Sequence, residues 1–259
     1  MIDNVIEISK AAGEKILEIY QSKIFEIQIK EDKSPLTKAD LCSHQIITEG
    51  LSQISNYPVL SEENVIDYEI RKKWHTFWLV DPLDGTKDFI AKNDQFTINI
   101  ALIENRAVVL GVLYAPALGL IYSAQKNGGA YKNNQKIYNN SIRKNLIASD
   151  SIFHSTKETL DFLKNNNINK IQRYGSALKF GKLAEGEIDI YPRFNGTKEW
   201  DTAAGQIILN ESGCKIIDLN TRKELIYNKE NIKNNYFIAL KNDLEIAYES
   251  NNISCRTRN

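Results

Sequence analysis

Apolar residues open the chain at helical spacing. Val5, Ile6, Ile8, Ala12, Ile16, Leu17 and Ile19 recur with charged residues between them, which predicts an amphipathic helix. A second helix is predicted from Thr37, because Thr37-Lys38-Ala39-Asp40 reads as a capping box with Asp in place of the usual Glu. Leu41, Ile46, Ile47, Leu51 and Ile54 form its apolar face. The pattern then changes to short β-branched and aromatic runs. Residues 58–61 and Phe77-Trp78-Leu79-Val80 are predicted strands, the second ending on Asp81. Residues 96–103 and 107–114 predict a hairpin across Glu104-Asn105-Arg106. Residues 120–124 and 130–131 predict a further pair across Asn127-Gly128-Gly129. This half is expected to be an antiparallel sheet with helices on one side.

From about Leu146 onward, strand and helix signals alternate. Strands are predicted at residues 147–148, 171–174, 188–191, 214–217 and 237–240. Helices are predicted at 155–164, 176–184 and 202–211, the last ended by Gly213. No internal repeat and no low-complexity linker interrupts the chain. The expected architecture is layered α+β or α/β, with residues 1–145 and 146–259 sharing one site in a single unit.

Composition narrows the function classes. The chain has 259 residues, 42% apolar and 25% charged, ordinary values for a globular protein able to bury a sizeable core. The 33 Lys+Arg balance 33 Asp+Glu, which argues against a general nucleic-acid binder and leaves a small anionic ligand open. No apolar run approaches the ~20 residues of a membrane span. Asp3, Glu7, Glu14 and Glu18 interrupt the N-terminal segment, which does not read as a secretory signal. Cys42, Cys214 and Cys255 are widely spaced and are read as free thiols of a reducing cytoplasm. His44, His75 and His154 sit in no metal or nucleophile motif and are read as structural or exposed. Gly-x-Ser-x-Gly, Gly-x-Gly-x-x-Gly and P-loop motifs are absent.

The acidic residues carry the candidate chemistry. Ser61-Glu62-Glu63 follows a short strand, and Asp81-Pro82-Leu83-Asp84-Gly85-Thr86 follows the strongest strand signal. Trp200-Asp201-Thr202-Ala203-Ala204-Gly205 opens a helix of small residues. Pro82 predicts an extended turn, and Asp84-Gly85-Thr86 the start of a helix. Asp81, Asp84 and the Leu83 carbonyl form an oxygen-rich cup suited to a hard cation such as Mg2+. Free N–H groups at the helix start suit a phosphate, so metal and phosphate can meet at one point. Taken singly, Asp84 reads as a helix cap, Asp81 as a turn former, Glu62 as a solvated charge and Asp201 as an N-cap. Their combination is far more specific.

Ser61-Glu62-Glu63, the run from Trp78 to Phe89 containing Asp81-Pro82-Leu83-Asp84-Gly85-Thr86, and Trp200-Asp201-Thr202-Ala203-Ala204-Gly205 resemble the inositol monophosphatase superfamily. The resemblance spans the first helix to about Phe237. It implies an αβαβα layered sandwich and a Mg2+-dependent, lithium-sensitive phosphatase using about two or three metal ions. Carried over, Glu62, Asp81, the Leu83 carbonyl, Asp84 and Asp201 are the metal ligands, with Asp81 bridging. Glu62 and Thr86 position the attacking water, and the Gly85 and Thr86 amides hold the phosphate. Asp40 resembles a position near a third, weaker metal.

Gly175-Ser176-Ala177-Leu178-Lys179-Phe180 and Asp189-Ile190-Tyr191-Pro192-Arg193-Phe194 resemble the 3′(2′),5′-bisphosphate nucleotidase branch of that superfamily. The resemblance implies cleavage of the 3′-phosphate of adenosine 3′,5′-bisphosphate, giving AMP and phosphate, with 3′-phosphoadenylyl sulfate as a further candidate and a link to sulfate assimilation. Ser176 and Lys179, one turn apart on an expected helix start, and Arg193 would hold the 5′-phosphate. Phe194 is a candidate to flank the adenine. The rival readings are an inositol or sugar-bisphosphate phosphatase of the same fold, and a non-catalytic regulatory binder. No nucleic-acid partner is expected. The expected location is the cytoplasm. Relatives at the inner membrane face raise peripheral contact as an alternative, but the weakly basic tail Cys255-Arg256-Thr257-Arg258 falls far short of a polybasic anchor.

Overall fold

Two sheets with helices between and outside them account for the apolar pattern. The computed structural model describes residues 1–22, 27–29 and 35–246. The first half contains helices α1 (Ile2–Ser22), α2 (Lys38–Ile54), α3 (Tyr68–Arg71) and α4 (Thr86–Ala91). Its strands are β1 (Gln28–Ile29), β2 (Pro35–Leu36), β3 (Val59–Ser61), β4 (Thr76–Asp84), β5 (Thr97–Glu104), β6 (Ala107–Ala115), β7 (Leu120–Gln125), β8 (Gly129–Lys132) and β9 (Gln135–Ile137). β3 to β9 form a seven-stranded sheet in sequence order, β3 parallel to β4 and the rest antiparallel. β1 and β2 pair separately.

The second half contains α5 (Lys157–Asn165), α6 (Leu178–Ala184) and α7 (Glu199–Asn210). Its strands are β10 (Ile147–Ser151), β11 (Lys170–Tyr174), β12 (Ile190–Arg193), β13 (Cys214–Asp218) and β14 (Phe237–Lys241). They form a five-stranded mixed sheet in the order β11-β10-β12-β14-β13.

Alternate residues of β4 and β5 serve different cores. Trp78, Val80, Ile98 and Ile100 join Val5, Ile16, Ile47 and Leu51 of α1 and α2. Phe77, Leu79, Ala101 and Ile103 join Ala203, Ala204 and Ile207 of α7. Helices therefore cover both faces of this sheet, not one as the sequence pattern suggested. The reason is visible in β4 and β5 themselves: their near-continuous apolar runs leave no polar face for solvent. The α7 core continues into Ile147, Tyr191, Ile216 and Phe237 of the second sheet. On that sheet's far side, Phe162 and Leu163 of α5 pack with Ala148, Ile190 and Ile238. The order α1/α2, sheet, α6/α7, sheet, α5 is the expected αβαβα sandwich.

Local signals explain most boundaries. Asp40 Oδ2 accepts the Thr37 N–H at 2.7 Å and Thr37 Oγ1 accepts the Ala39 N–H at 3.2 Å, so α2 starts where the capping residues are. The β5–β6 turn is only Asn105-Arg106, both left-handed at φ 49° and 68°, as a two-residue hairpin with matching twist requires. β9 and α3 carry no apolar pattern and were not predicted. β4 does not turn at Pro82. It runs on to Asp84 with a register shift against β5 between Asp81 and Asp84.

Candidate active site

That shift re-aims the end of β4, as strand irregularities near sites often do. Asp81 is 1% exposed and stands opposite Asn99 on β5. Its Oδ1 accepts the Leu83 N–H at 3.1 Å. Gly85 caps α4 in the left-handed region at φ 87°. A Cβ there would also lie 3.0 Å from that of Ser176, so only glycine fits without strain. Glu62 leaves β3 with its N–H donating to the Val80 carbonyl at 3.1 Å, and Trp200 Nε1 of α7 donates to its Oε2 at 3.0 Å. Asp201 is the third residue of α7, not its N-cap. The helix starts earlier, at Glu199 with Lys198 as cap, and Asp201 Oδ2 accepts the Lys198 N–H at 2.7 Å.

Glu62, Asp81 and Asp201 come from three separate elements, yet each offers an oxygen within 4.8 Å of the others. Asp84 lies beside this trio and its Oδ2 accepts the Ala177 N–H at 2.6 Å. Burial and the negative charge of the neighbouring acids raise the Asp81 and Asp201 carboxyls well above the usual range. Asp84 is raised to about 6 by desolvation, with Lys179 and the Ala177 amide opposing the shift. Hard oxygen donors crowded at unfavourable mutual charge fit a small divalent cation such as Mg2+. Thr86 Oγ1 lies 3.4 Å from the Leu83 carbonyl and 3.3 Å from Asp40 Oδ1. Asp40 stands outside the trio and accepts both the N–H and the hydroxyl of Thr37.

A cavity of about 610 Å³ is lined by Glu62, Asp84 and Asp201 together with the residues expected to hold a second anion. Ser176 lies before α6 rather than on it, in the left-handed region at φ 42°. Its Oγ is buried without a hydrogen bond. Lys179 is 2% exposed, and its Nζ donates to the carbonyls of Tyr174 and Ser176 at 3.1 and 2.5 Å. Burial, then Arg193, lowers its pKa, while Asp84 and Asp88 counteract. Arg193 lines the cavity with Nε lacking a hydrogen bond. Lys179 thus braces the 174–176 loop, and Arg193 is the more direct cation.

One expectation needs correction. Phe194 does not face the cavity: it is 2% exposed and packs edge-on against Phe162 and Tyr236 in the α5 core. His154, read from the sequence as structural or exposed, is exposed and lines the cavity. Partial burial of its ring, then Arg193, Lys87 and Lys179, lower its pKa to about 4. The missed signal is topological. β10 and β12 run parallel, so the residues following β10 emerge at the same edge as Arg193.

The inositol monophosphatase family profile matches residues 1–251. The chain belongs to the inositol monophosphatase family. Within the family it is 39% identical over 224 residues to the 3′(2′),5′-bisphosphate nucleotidase CysQ of Escherichia coli K12, covering 84% of this chain and 90% of that one. It is 41% identical over 224 residues to the Salmonella typhimurium protein of the same name, with the same coverage. The crystal structure of CysQ from Bacteroides thetaiotaomicron superposes with a TM-score of 0.84 at 37% identity, covering 93% of this chain and 96% of that one.

Proposed function

We propose that this family member is a Mg2+-dependent phosphatase that removes the 3′-phosphate of adenosine 3′,5′-bisphosphate, with 3′-phosphoadenylyl sulfate as a second substrate, in the cytoplasm and in service of sulfate assimilation. The observation that carries the reading is one cavity lined by two kinds of group: the carboxylates Glu62, Asp84 and Asp201, suited to a metal, and Ser176, Lys179 and Arg193, suited to a second anion. A monoester such as inositol 1-phosphate would leave Arg193 without a phosphate partner. The names of the relatives above support the same choice. Among the described residues no helix is long and apolar enough to cross a membrane, and the Cys255–Arg258 tail lies outside them.

Glu62, Asp81, Asp84, Asp201 and the Leu83 carbonyl would hold the metal. Bound Mg2+ would lower the pKa of the attacking water and stabilise charge on the entering and leaving oxygens. The chain's own part is positional. Trp200 fixes Glu62 through Oε2, which holds that carboxylate beside Asp81 and Asp201, where it would orient a water. Thr86, held near Asp40, gives that water a second anchor. The Gly85 and Thr86 amides at the start of α4 face the 3′-phosphate. Arg193 and Ser176 Oγ take the 5′-phosphate, while Lys179 holds the 174–176 loop in place. His154, neutral near pH 7 with its pKa at about 4, borders the space left for the nucleoside without adding charge.

A substrate panel tests this: adenosine 3′,5′-bisphosphate, 3′-phosphoadenylyl sulfate and inositol 1-phosphate, with Mg2+ and with added Li+. The bisphosphate should have the highest kcat/KM, Li+ should inhibit, and Asp81→Asn should lose at least about 100-fold in rate. Preference for the inositol ester would overturn the nucleotidase assignment. Phosphate release that survives Asp81→Asn would overturn the metal site.

A further inference from the structure

Asn99 has no role in the site described so far, yet it stands next to that site's central acid. It is 1% exposed on β5, directly opposite Asp81 in the β4–β5 ladder. Directly opposed residues project from the same sheet face with Cβ atoms about 4.5–5.5 Å apart. Thr97, fully buried two residues earlier on that face, places its Oγ1 3.1 Å from Asn99 Oδ1. That bond turns the amide nitrogen away from Thr97, and Nδ2 is buried without a hydrogen-bond partner. Buried amide donors are almost always satisfied. The opposite amide orientation would instead aim an acceptor toward buried carboxylates, which raises the cost.

We infer that Asn99 is a positioning residue for Asp81: its amide N–H donates to the Asp81 carboxylate through one bridging water and fixes the orientation in which that carboxylate meets Mg2+. The inference rests on the metal-dependent reading of the site. Ligating carboxylates held by such an outer partner lose about 10–100-fold in metal affinity when the partner is removed. Thr97 acts one step further out, by fixing the amide's rotation.

The experiment measures the Mg2+ concentration giving half of the maximal thermal shift, without substrate, for the full chain and for Asn99→Leu and Thr97→Val. Leucine keeps the volume and removes the donor. The wild type should show saturable Mg2+ stabilisation. Asn99→Leu should need about 10–100-fold more Mg2+, and Thr97→Val should shift the midpoint the same way by less. A wild-type midpoint in Asn99→Leu, whatever its metal-free Tm, overturns the inference while leaving the metal site intact. If Asn99→Leu does not fold, Thr97→Val decides: an unchanged midpoint overturns the inference. Absence of any Mg2+ shift in the wild type removes the metal-dependent reading, and this inference with it.

Discussion

At the scale of single residues, two cations that looked alike in the sequence have different duties. Lys179 spends its ammonium on the Tyr174 and Ser176 carbonyls, whereas Arg193 keeps Nε without a hydrogen bond at the cavity wall. Arg193→Glu should therefore act on binding. Losing a charge-assisted hydrogen bond costs about 1.5–3 kcal/mol, so KM for adenosine 3′,5′-bisphosphate should rise at least about 10-fold. Hydrolysis of inositol 1-phosphate, which has no second phosphate, should change little. Lys179→Met should act on both parameters. Releasing the 174–176 loop also loosens Ala177, whose N–H holds Asp84 at 2.6 Å. Its kcat should fall by about 10–100-fold alongside a raised KM. Steady-state kinetics on both substrates separates the two variants, and an unchanged kcat in Lys179→Met would refute the bracing role.

At the scale of elements, the site depends on how closely α7 lies on the first sheet, because α7 brings Asp201 and β4 brings Asp81. Gly111 of β6 sets that approach: a Cβ there would sit 2.6 Å from Ile207 Cγ2 and 2.8 Å from the Ala204 Cα. The second contact is backbone, so helix and sheet must separate to relieve it. Gly111→Ala should destabilise the fold by about 1–3 kcal/mol in urea unfolding. It should also raise the Mg2+ requirement, which a purely global loss of stability would not do. The sequence made the acids legible because Asp81, Asp84 and Asp201 sit in motifs bounded by Pro82, Gly85 and Trp200. The α2 start was equally legible, since Thr37 and Asp40 form a local box. What it concealed is non-local. The two-sided cover of β4 and β5, the Trp200 bond to Glu62 and the arrival of His154 at the cavity are products of strand order, which periodicity along one chain does not encode.

At the scale of the whole molecule, equal numbers of acids and bases conceal an uneven field. We propose that the two halves act as one catalytic unit, because a single core runs from Leu79 of β4 through Ala204 of α7 to Phe237 of β14. That core brings carboxylates from both halves together at a cost in the metal-free protein. Asp81, Asp201 and Asp84 all have raised pKa values, the last to about 6. A carboxyl whose pKa rises on folding binds more protons folded than unfolded, so its contribution to stability is present at low pH and lost as pH rises through the raised value. In a chelator, Asp81→Asn should therefore melt above the wild type at about pH 7.5, above the value of about 6 to which Asp84 is raised. The gap should narrow as pH falls to about 5, through that value. Relief of about 1–3 kcal/mol corresponds to several degrees, at roughly 2–4 °C per kcal/mol for a chain near this size. Mg2+ should invert the order. Metal competes with protons for the same oxygens, so wild-type stabilisation by Mg2+ should grow from about pH 5 to about pH 7.5. Asp81→Asn, lacking the central ligand, should gain little at either pH. Scanning calorimetry of both proteins, with chelator and with Mg2+, measures all four differences. A wild type that melts above Asp81→Asn at the higher pH in chelator would show that the acids are not held in mutual repulsion.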